Sequence, residues 1–443
     1  MRYIFVILIF QQFAIFGQNQ SDEIRNVVNQ DNDKYLEIFK DLHQNPELGF
    51  QETRTAGIIA SNLKHYGYEV IENIGVTGLV GIMKNGEGPT VWYRADMDAL
   101  PVKETADIEW ASTKKAVMDE MGDTAETYVS HMCGHDAHVT WMLQIAKYFA
   151  KHKEKWKGTV VFIGQPAEEI GNGAVMMVED GLYDKVPGPD FLFGMHTTPI
   201  AVGMVNVAVG NRMAGFDDFN IIFHGEGGHG SSPHKTKDPV YMAANAVVQY
   251  QSIVSRQIDP QNAAVLTVGS IKAGETNNVI PQDATVKINL RWFNQEDREI
   301  LKEGVRGINE GIAHAYNLSK NKYPTTIVRS WAYPLVNDII LTKIIRKSLD
   351  QLVKGENLRT ESTIRPVMAS EDFQHLILEG PKKDVPYSYI NIGVADPDRY
   401  ANSMAEKGTV PYQNHNGDYE VDLKAIPFGS EVGINAMLAI FNE

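Results

Sequence analysis

"TVWYRADMDALP", residues 90–101, opens as a β-branched and aromatic run and stops at two carboxylates, Asp96 and Asp98. A continuous apolar run of this length suits a strand buried on both faces, as in a sheet covered by helices. Two later stretches repeat the design. "TVVFIGQPAEE" (159–169) stops at Glu168 and Glu169, and "DFLFGMHTTP" (190–199) is read as stopping at His196. Helical patterns such as "AHVTWMLQIAKYFAKH" (137–152) lie between them. Strands alternating with helices predict an α/β fold, a helix-covered mixed sheet that is largely parallel. In such sheets sites form at the carboxyl ends of strands. Three runs ending in carboxylates or histidine therefore predict one convergent polar site.

"HMCGHDAH" (131–138) leads into the 137–152 helix and holds the only cysteine, Cys133, with His131, His135 and His138. One cysteine cannot form an internal disulfide. It is a buried apolar filler, half of an intermolecular bridge, a nucleophile or a metal ligand. Gly134 permits a tight turn on which Cys133 and His135 face one point. His135 and His138 share a face only if the helix starts early. Together with Glu169 and His196, the set becomes thiolate, imidazole and carboxylate, which suits a divalent ion such as zinc or manganese. A divalent ion, or a pair about 3.5–4 Å apart, acidifies water and polarises a carbonyl. A carboxylate outside the ligand set can then carry the water's proton to a leaving group. The adjacent Glu168 and Glu169 can divide these roles, one as base and one as ligand.

The chain has 443 residues, enough for two domains with full cores, and a formal net charge of −15. No basic stripe is present, which argues against a nucleic-acid partner. The first residues, "MRYIFVILIFQQFAIFGQNQ", place Arg2 before an apolar run and Gly17 where cleavage would fall. This pattern predicts a signal peptide over 1–17 and an exported protein, periplasmic or secreted. The run is too short for a membrane span, and no other segment approaches that length.

Residues 213–331 change rhythm. "FNIIFHG" (219–225), "AVLTVGSIK", "ATVKINLRWF" and "PTTIVRSW" (324–331) read as strands, and 238–254 and 295–317 as helices. The order β-α-β-β-α-β is the ferredoxin-like split unit. The α/β alternation resumes afterwards, so this unit is an insertion. It divides a catalytic domain into 22–212 and 332–443 and serves as a lid or a dimerisation module. Its glycine-rich loop "HGEGGHGSSPHKTKDP" (224–239) carries His224, His229 and His234.

These motifs together resemble the dinuclear metal amidohydrolases related to aminoacylases and bacterial zinc carboxypeptidases. The branch most similar is that of hippurate hydrolases and the plant hydrolases of auxin–amino acid conjugates. "HQNPELGFQE" (43–52), "RADMDALP" (94–101), "CGHDAH" (133–138), "GQPAEE" (164–169), "GMHTTP" (194–199), "GGHGSSPH" (227–234), "NVIP" (278–281), "SEDF" (370–373) and "NHNGDYEVD" (414–422) carry the resemblance, in the family's order. It implies a zinc-exopeptidase-like catalytic domain with two divalent metal ions per subunit, zinc or manganese, on Cys133, His135, Glu169, His196 and His415. It implies Glu168 as general base, His229 as a donor to the developing oxyanion, and a homodimer through the inserted domain. Asp98 is counted with the catalytic residues, Asn278 and Arg291 with the substrate's carboxylate, and Asp136 and His138 with the supports of the ligands. His131 receives no role. Three features depart from the pattern, the first being that "HGEGGHGSSP" differs from the more usual alanine-rich loop. Asp96 stands where related aminoacylases have histidine, and the 107–132 segment is longer than the usual connection.

The expected reaction is hydrolysis of the amide of an N-acyl amino acid, or a similar small amidated carboxylate, by metal-activated water. The alternatives are a metallo-dipeptidase or carboxypeptidase acting on short peptides, a non-catalytic exported binding protein, and a cysteine nucleophile at Cys133.

Overall fold

The runs read as buried strands form Thr90–Asp96, Gly158–Gln165 and Phe191–Ala201, and they lie side by side. Thr90–Asp96 is the middle strand, parallel to both neighbours. Tyr387–Ala395 continues the parallel centre beyond Phe191–Ala201. Antiparallel strands Glu69–Ile74 and Gly78–Asn85 extend one side, and short strands Val205–Asn206 and Leu358–Arg359 the other, giving eight strands. Every residue of Gly158–Gln165 is buried, as a strand covered on both faces must be. Because these three strands are parallel neighbours, their carboxyl ends emerge at one edge of the sheet.

The computed structural model describes residues 21–120 and 123–443; the expected signal peptide lies outside them. The chain divides into two compact units, and the first takes the residues up to Gly210 together with Val336–Arg365 and Asp372–Glu443. Its core joins the sheet to helices His135–Lys151, Ile339–Leu349 and Ala425–Phe441. Ala425–Phe441 is apolar nearly all round and buried along most of its length, the mark of a core helix. Trp141, in His135–Lys151, is wholly buried and donates its indole N–H to Ala425 O at 3.1 Å, which ties the helix that follows the cysteine turn to this core. No helix among the described residues is long and apolar enough to cross a membrane. The long 107–132 segment contains the hairpin Lys115–Glu120 and Asp123–Tyr128, where Ala116 and Met118 pack on Leu48, Ala99 and Val129.

The second unit comprises Asn211–Leu335 and Pro366–Glu371. Its strands Gly215–His224, Val265–Lys272, Asp283–Trp292 and Thr325–Ala332 stand in the spatial order fourth, first, third, second, all antiparallel. This is the ferredoxin-like arrangement. Helices Pro239–Arg256 and Gln295–Ala315 pack on the sheet around a separate core. Asp238 caps the first by accepting from Val240 N at 2.9 Å, and Asn294 caps the second by accepting from Asp297 N at 2.8 Å. The insertion read from sequence as 213–331 thus recruits a distant segment, 366–371. Ala214 N donates to Val367 O and Ala369 O, and Arg291 Nη1 donates to Met368 O at 3.1 Å and to Ser370 Oγ at 2.7 Å. Local patterning holds no trace of that pairing.

Candidate metal centre

The cysteine turn is built by hydrogen bonds on both flanks. Gly134 takes φ 79° at the N-cap of His135–Lys151, so the helix starts two residues earlier than the 137–152 expectation. The early start puts His135 and His138 on one face, their rings stacked with centroids 5.2 Å apart. Thr197 Oγ1 donates to Cys133 O at 2.6 Å, which locks the turn to the neighbouring strand. His196 is not the end of that strand as expected, since Phe191–Ala201 continues five residues past it. Pairing with Thr90–Asp96 stops at Arg94↔Gly194, whereas pairing with Tyr387–Ala395 goes on. His196 therefore lies just past the point where the strand loses one neighbour, facing the cysteine turn.

The donors converge. His196 Nε2 is 3.4 Å from Cys133 Sγ, and its Nδ1–H donates to Thr197 O at 2.6 Å, which leaves the Nε2 lone pair for a ligand. His135 Nε2 lies 3.5 Å from Asp96 Oδ2, 3.7 Å from Glu169 Oε1 and 4.0 Å from Glu168 Oε2. His415 arrives from the other end of the sequence: its N–H donates to Met132 O at 2.8 Å, its φ is 69°, and its Nε2 is 3.3 Å from Glu169 Oε2. Asn414 Nδ2 is 3.6 Å from Cys133 Sγ.

Three donor groups lie within the first unit, Asp96–His135–His138–His196, Cys133–Glu169–His415 and His135–Glu168–Glu169, each with its ligand atoms within 4.8 Å of one another. The last two share Glu169, so one carboxylate could serve two neighbouring cations. His135 Nε2 and Glu169 Oε1 are buried without a hydrogen-bond partner. Orphaned donors and acceptors of this kind are costly unless a ligand satisfies them. The residues fit divalent cations.

Electrostatics agrees. Burial and the charge of Glu169 oppose ionisation of Cys133, but His196 and His135 outweigh them and hold the thiol well below its usual range. Burial also opposes a charge on His135, yet Asp96, Asp98 and Cys133 hold that ring well above its usual range. Hydrogen bonds to Cys133 and Glu169 push His415 up to about 10. Protons and divalent ions compete for the same buried negative charge.

His138 is a support and not a ligand, although its ring lies among the donors. Its Nδ1 bonds Asp96 Oδ1 at 2.5 Å and its Nε2 accepts the Thr197 N–H at 2.8 Å, so both nitrogens are spent. Burial pushes it down to about 4, the neutral form those bonds need. Asp136, expected to brace a ligand, instead bonds His43 Nδ1 at 2.6 Å, while His43 Nε2 meets Glu104 Oε1 at 3.0 Å. Burial opposes a charge on His43, but the two carboxylates push it up to about 10. Asp98 Oδ2 accepts from Glu169 N at 2.9 Å, and its Oδ1 stands 3.3 Å from His135 Nδ1. Beneath the site the wholly buried Arg94 holds Asp96 Oδ2 at 2.6 Å and Asp372 Oδ1 at 3.2 Å. His131 is buried with no hydrogen-bond partner at either nitrogen, and burial pushes it down to about 4. His43, Glu104, Arg94 and Asp372 had no assigned part; their only sequence signal is that His43, Arg94 and Asp372 fall within quoted motifs.

In the second unit, His229 and Asn278 are brought together. Strand pairs Gly228–His229 and Val279–Ile280 are joined, and Gly230 N donates to Asn278 O at 2.8 Å. His229 Nδ1 accepts from Ser231 N at 3.1 Å and lies 2.8 Å from Ser231 Oγ. Arg291 is elsewhere in that unit, eight residues along Asp283–Trp292 from its start, roughly 27 Å of strand.

A model of peptidase family M20/M25/M40 matches residues 92–410. The chain is 39% identical over 347 residues to a hippurate hydrolase of Campylobacter jejuni, covering 77% of this chain and 84% of that protein. It is 33% identical over 430 residues to thermostable carboxypeptidase 2 of Saccharolobus solfataricus, covering 95% and 98%. A crystal structure of a dinuclear metal-binding M20 peptidase from Bacillus subtilis superposes with a TM-score of 0.70 at 25% identity, over 94% of this chain and 99% of that one. With a sheet whose parallel strands bring Glu169 and His196 to the cysteine turn, and with matches along most of its length, the chain belongs to peptidase family M20/M25/M40 and is an amidohydrolase of the metallopeptidase type.

Proposed function

We propose that the protein hydrolyses the amide bond of N-acyl amino acids with two divalent ions, zinc or manganese, held by Cys133, His135, Glu169, His196 and His415. The observation that supports this reading is that Glu169 stands in donor groups with Cys133 and His415 on one side and with His135 on the other, that His196 stands in a further group with His135, and that Glu168 Oε2 is 4.0 Å from His135 Nε2. The ions supply Lewis acidity, which acidifies water and polarises the amide carbonyl. Glu168, with a side chain 10% exposed, accepts the attacking water's proton and delivers it to the amine nitrogen as the C–N bond breaks. Asp98 orients His135 from behind. The assignments of His229 to the developing oxyanion, and of Asn278 and Arg291 to the substrate's carboxylate, rest on the sequence motifs. An oxyanion donor of that kind contributes about 3–4 kcal/mol.

Similarity to a hippurate hydrolase, an enzyme named for an N-acyl amino acid, supports the substrate class. The carboxypeptidase relative favours a second reading, cleavage of short peptides by the same chemistry. Export to the periplasm or medium, and a homodimer through the second unit, complete the proposal from the N-terminal run and the inserted domain. A screen of N-benzoyl and N-acetyl amino acids against dipeptides, with zinc or manganese added, tests it. Turnover of the acyl amino acids is expected; dipeptide cleavage alone would replace this reading with the second.

A further inference from the structure

Glu52 closes the "HQNPELGFQE" motif and stands at the N-cap of helix Thr53–Tyr66, yet its side chain caps nothing. The amides a capping residue would serve are taken by Glu47, whose Oε1 accepts from Arg54 N at 2.9 Å and whose Oε2 accepts from Thr55 N at 2.8 Å. Released from that duty, Glu52 turns inward and is wholly buried. Its Oε1 accepts the Ala167 N–H at 2.8 Å, and its Oε2 accepts the Thr77 hydroxyl at 2.5 Å. Ala167 directly precedes Glu168 and has φ 50°, a left-handed conformation that costs a residue with a Cβ roughly 1–2 kcal/mol. On the other flank of Glu168, the Glu169 N–H is held by Asp98 Oδ2 at 2.9 Å. The backbone around Glu168 is thus gripped on both sides by buried carboxylates. Burial, with the charge of Asp98 second, pushes the Glu52 carboxyl up to about 7, so this grip is maintained at an energetic cost. A chain that had only to satisfy one amide could do so with a neutral oxygen and a glycine at 167. Strain and a desolvated carboxylate at the residue before a reactive group mark a site whose geometry matters more than local stability.

We propose that Glu52 is the positioning residue of the general base: by holding the Ala167 N–H it keeps the turn in its left-handed form and aims the Glu168 carboxylate. The inference rests on the reading of Glu168 as the base. Glu52→Leu removes the acceptor, and Glu52→Gln keeps it, because the amide oxygen can face Ala167 while its NH2 donates to Thr77. The assay follows hydrolysis of N-benzoylglycine, or of the best dipeptide if the wild type prefers one, with metal content measured on the same samples. Hydrogen exchange of a peptide spanning 166–172 is measured in parallel. In Glu52→Leu, kcat is expected to fall about 10- to 100-fold, the cost of a misplaced catalytic group, with KM and metal content unchanged. Exchange in 166–172 is expected to quicken several-fold, and Glu52→Gln to recover kcat to within about threefold of wild type. Wild-type kcat and exchange in Glu52→Leu would overturn the proposal, as would a loss matched by lost metal or a Gln variant as slow as the Leu variant. Should Glu52→Leu fail to fold, Thr77→Val removes one of the two tethers on the carboxylate; a several-fold loss in kcat at constant KM is then expected, and no loss overturns the proposal. Glu168→Gln separates the two readings. If it stays active, the base assignment itself is wrong; if it is inactive while Glu52→Leu is normal, only the role of Glu52 falls.

Discussion

Replacing Gly134 with alanine puts one methyl group into the hinge of the metal centre. Its Cβ would stand 2.7 Å from Thr197 Oγ1, 2.8 Å from Thr197 Cγ2 and 3.1 Å from Thr197 Cβ. Backbone φ there is 79°, a left-handed conformation that costs an alanine roughly 1–2 kcal/mol. Overpacking of a close-packed interior adds about 1–3 kcal/mol. Neither movement that relieves the clash is neutral. Shifting the turn displaces Cys133 on one side and His135 on the other. Shifting Thr197 releases Cys133 O from Oγ1, His138 Nε2 from N and His196 Nδ1 from O, bonds of 2.6, 2.8 and 2.6 Å. The combined strain of about 2–5 kcal/mol is divided between fold stability and ligand geometry. If half of it falls on the ligands, metal affinity drops about 5- to 60-fold, at about 1.4 kcal/mol per tenfold. Chelator competition gives the affinity, and thermal unfolding of the metal-free protein gives the remainder. Wild-type affinity together with wild-type unfolding would refute the reasoning, since the strain would have gone nowhere.

Glu168→Gln is expected to keep its metal and lose about 10²- to 10⁴-fold in kcat, the usual worth of a general base, as read by steady-state hydrolysis beside metal analysis; a near-normal rate removes Glu168 from the mechanism. Cys133→Ala removes one thiolate donor and is expected to lower the bound metal below the wild-type stoichiometry after dialysis, while unchanged stoichiometry strikes Cys133 from the ligands. Glu52 titrates from an ordinary 4.5 up to about 7 through burial and, second, the charge of Asp98. The fold therefore binds that proton more tightly than the unfolded chain, and wild-type stability falls as pH rises from about 4.5 to 7. Glu52→Gln lacks the penalty, so its melting temperature is expected to match wild type near pH 4.5 and to exceed it above pH 7; equal melting temperatures at pH 8 would contradict the burial of this charge.

Much of the site was legible because local chemistry announced it. Apolar runs that stop at Asp96 and Glu168 can only be buried strands that open into something polar, and parallel strands put such ends at one edge. Cys133 and His135 flank a glycine, and that turn needs only three residues to be recognised. His415 had no such local signal. Only the resemblance points to it, and the structure brings it in through a backbone bond to Met132 O. His196 does not stand at a strand end, because Phe191–Ala201 continues past it. What exposes it is a neighbour that stops pairing, a property of two strands together.

The sequence by itself determined the α/β class, the ferredoxin-like insertion, and the types of donor available, because periodicity, turn chemistry and residue type act over a few neighbours. Only the tertiary structure decided which donors share a point and which are already spent. His138, expected among the supports, has both of its nitrogens occupied, by Asp96 and Thr197. Asp136 turns away to His43, and Glu52, an unremarked glutamate before a helix, reaches Ala167 across 115 positions. Hydrogen-bond saturation and burial are sums over residues far apart in the chain, and those sums exist only once the chain has folded.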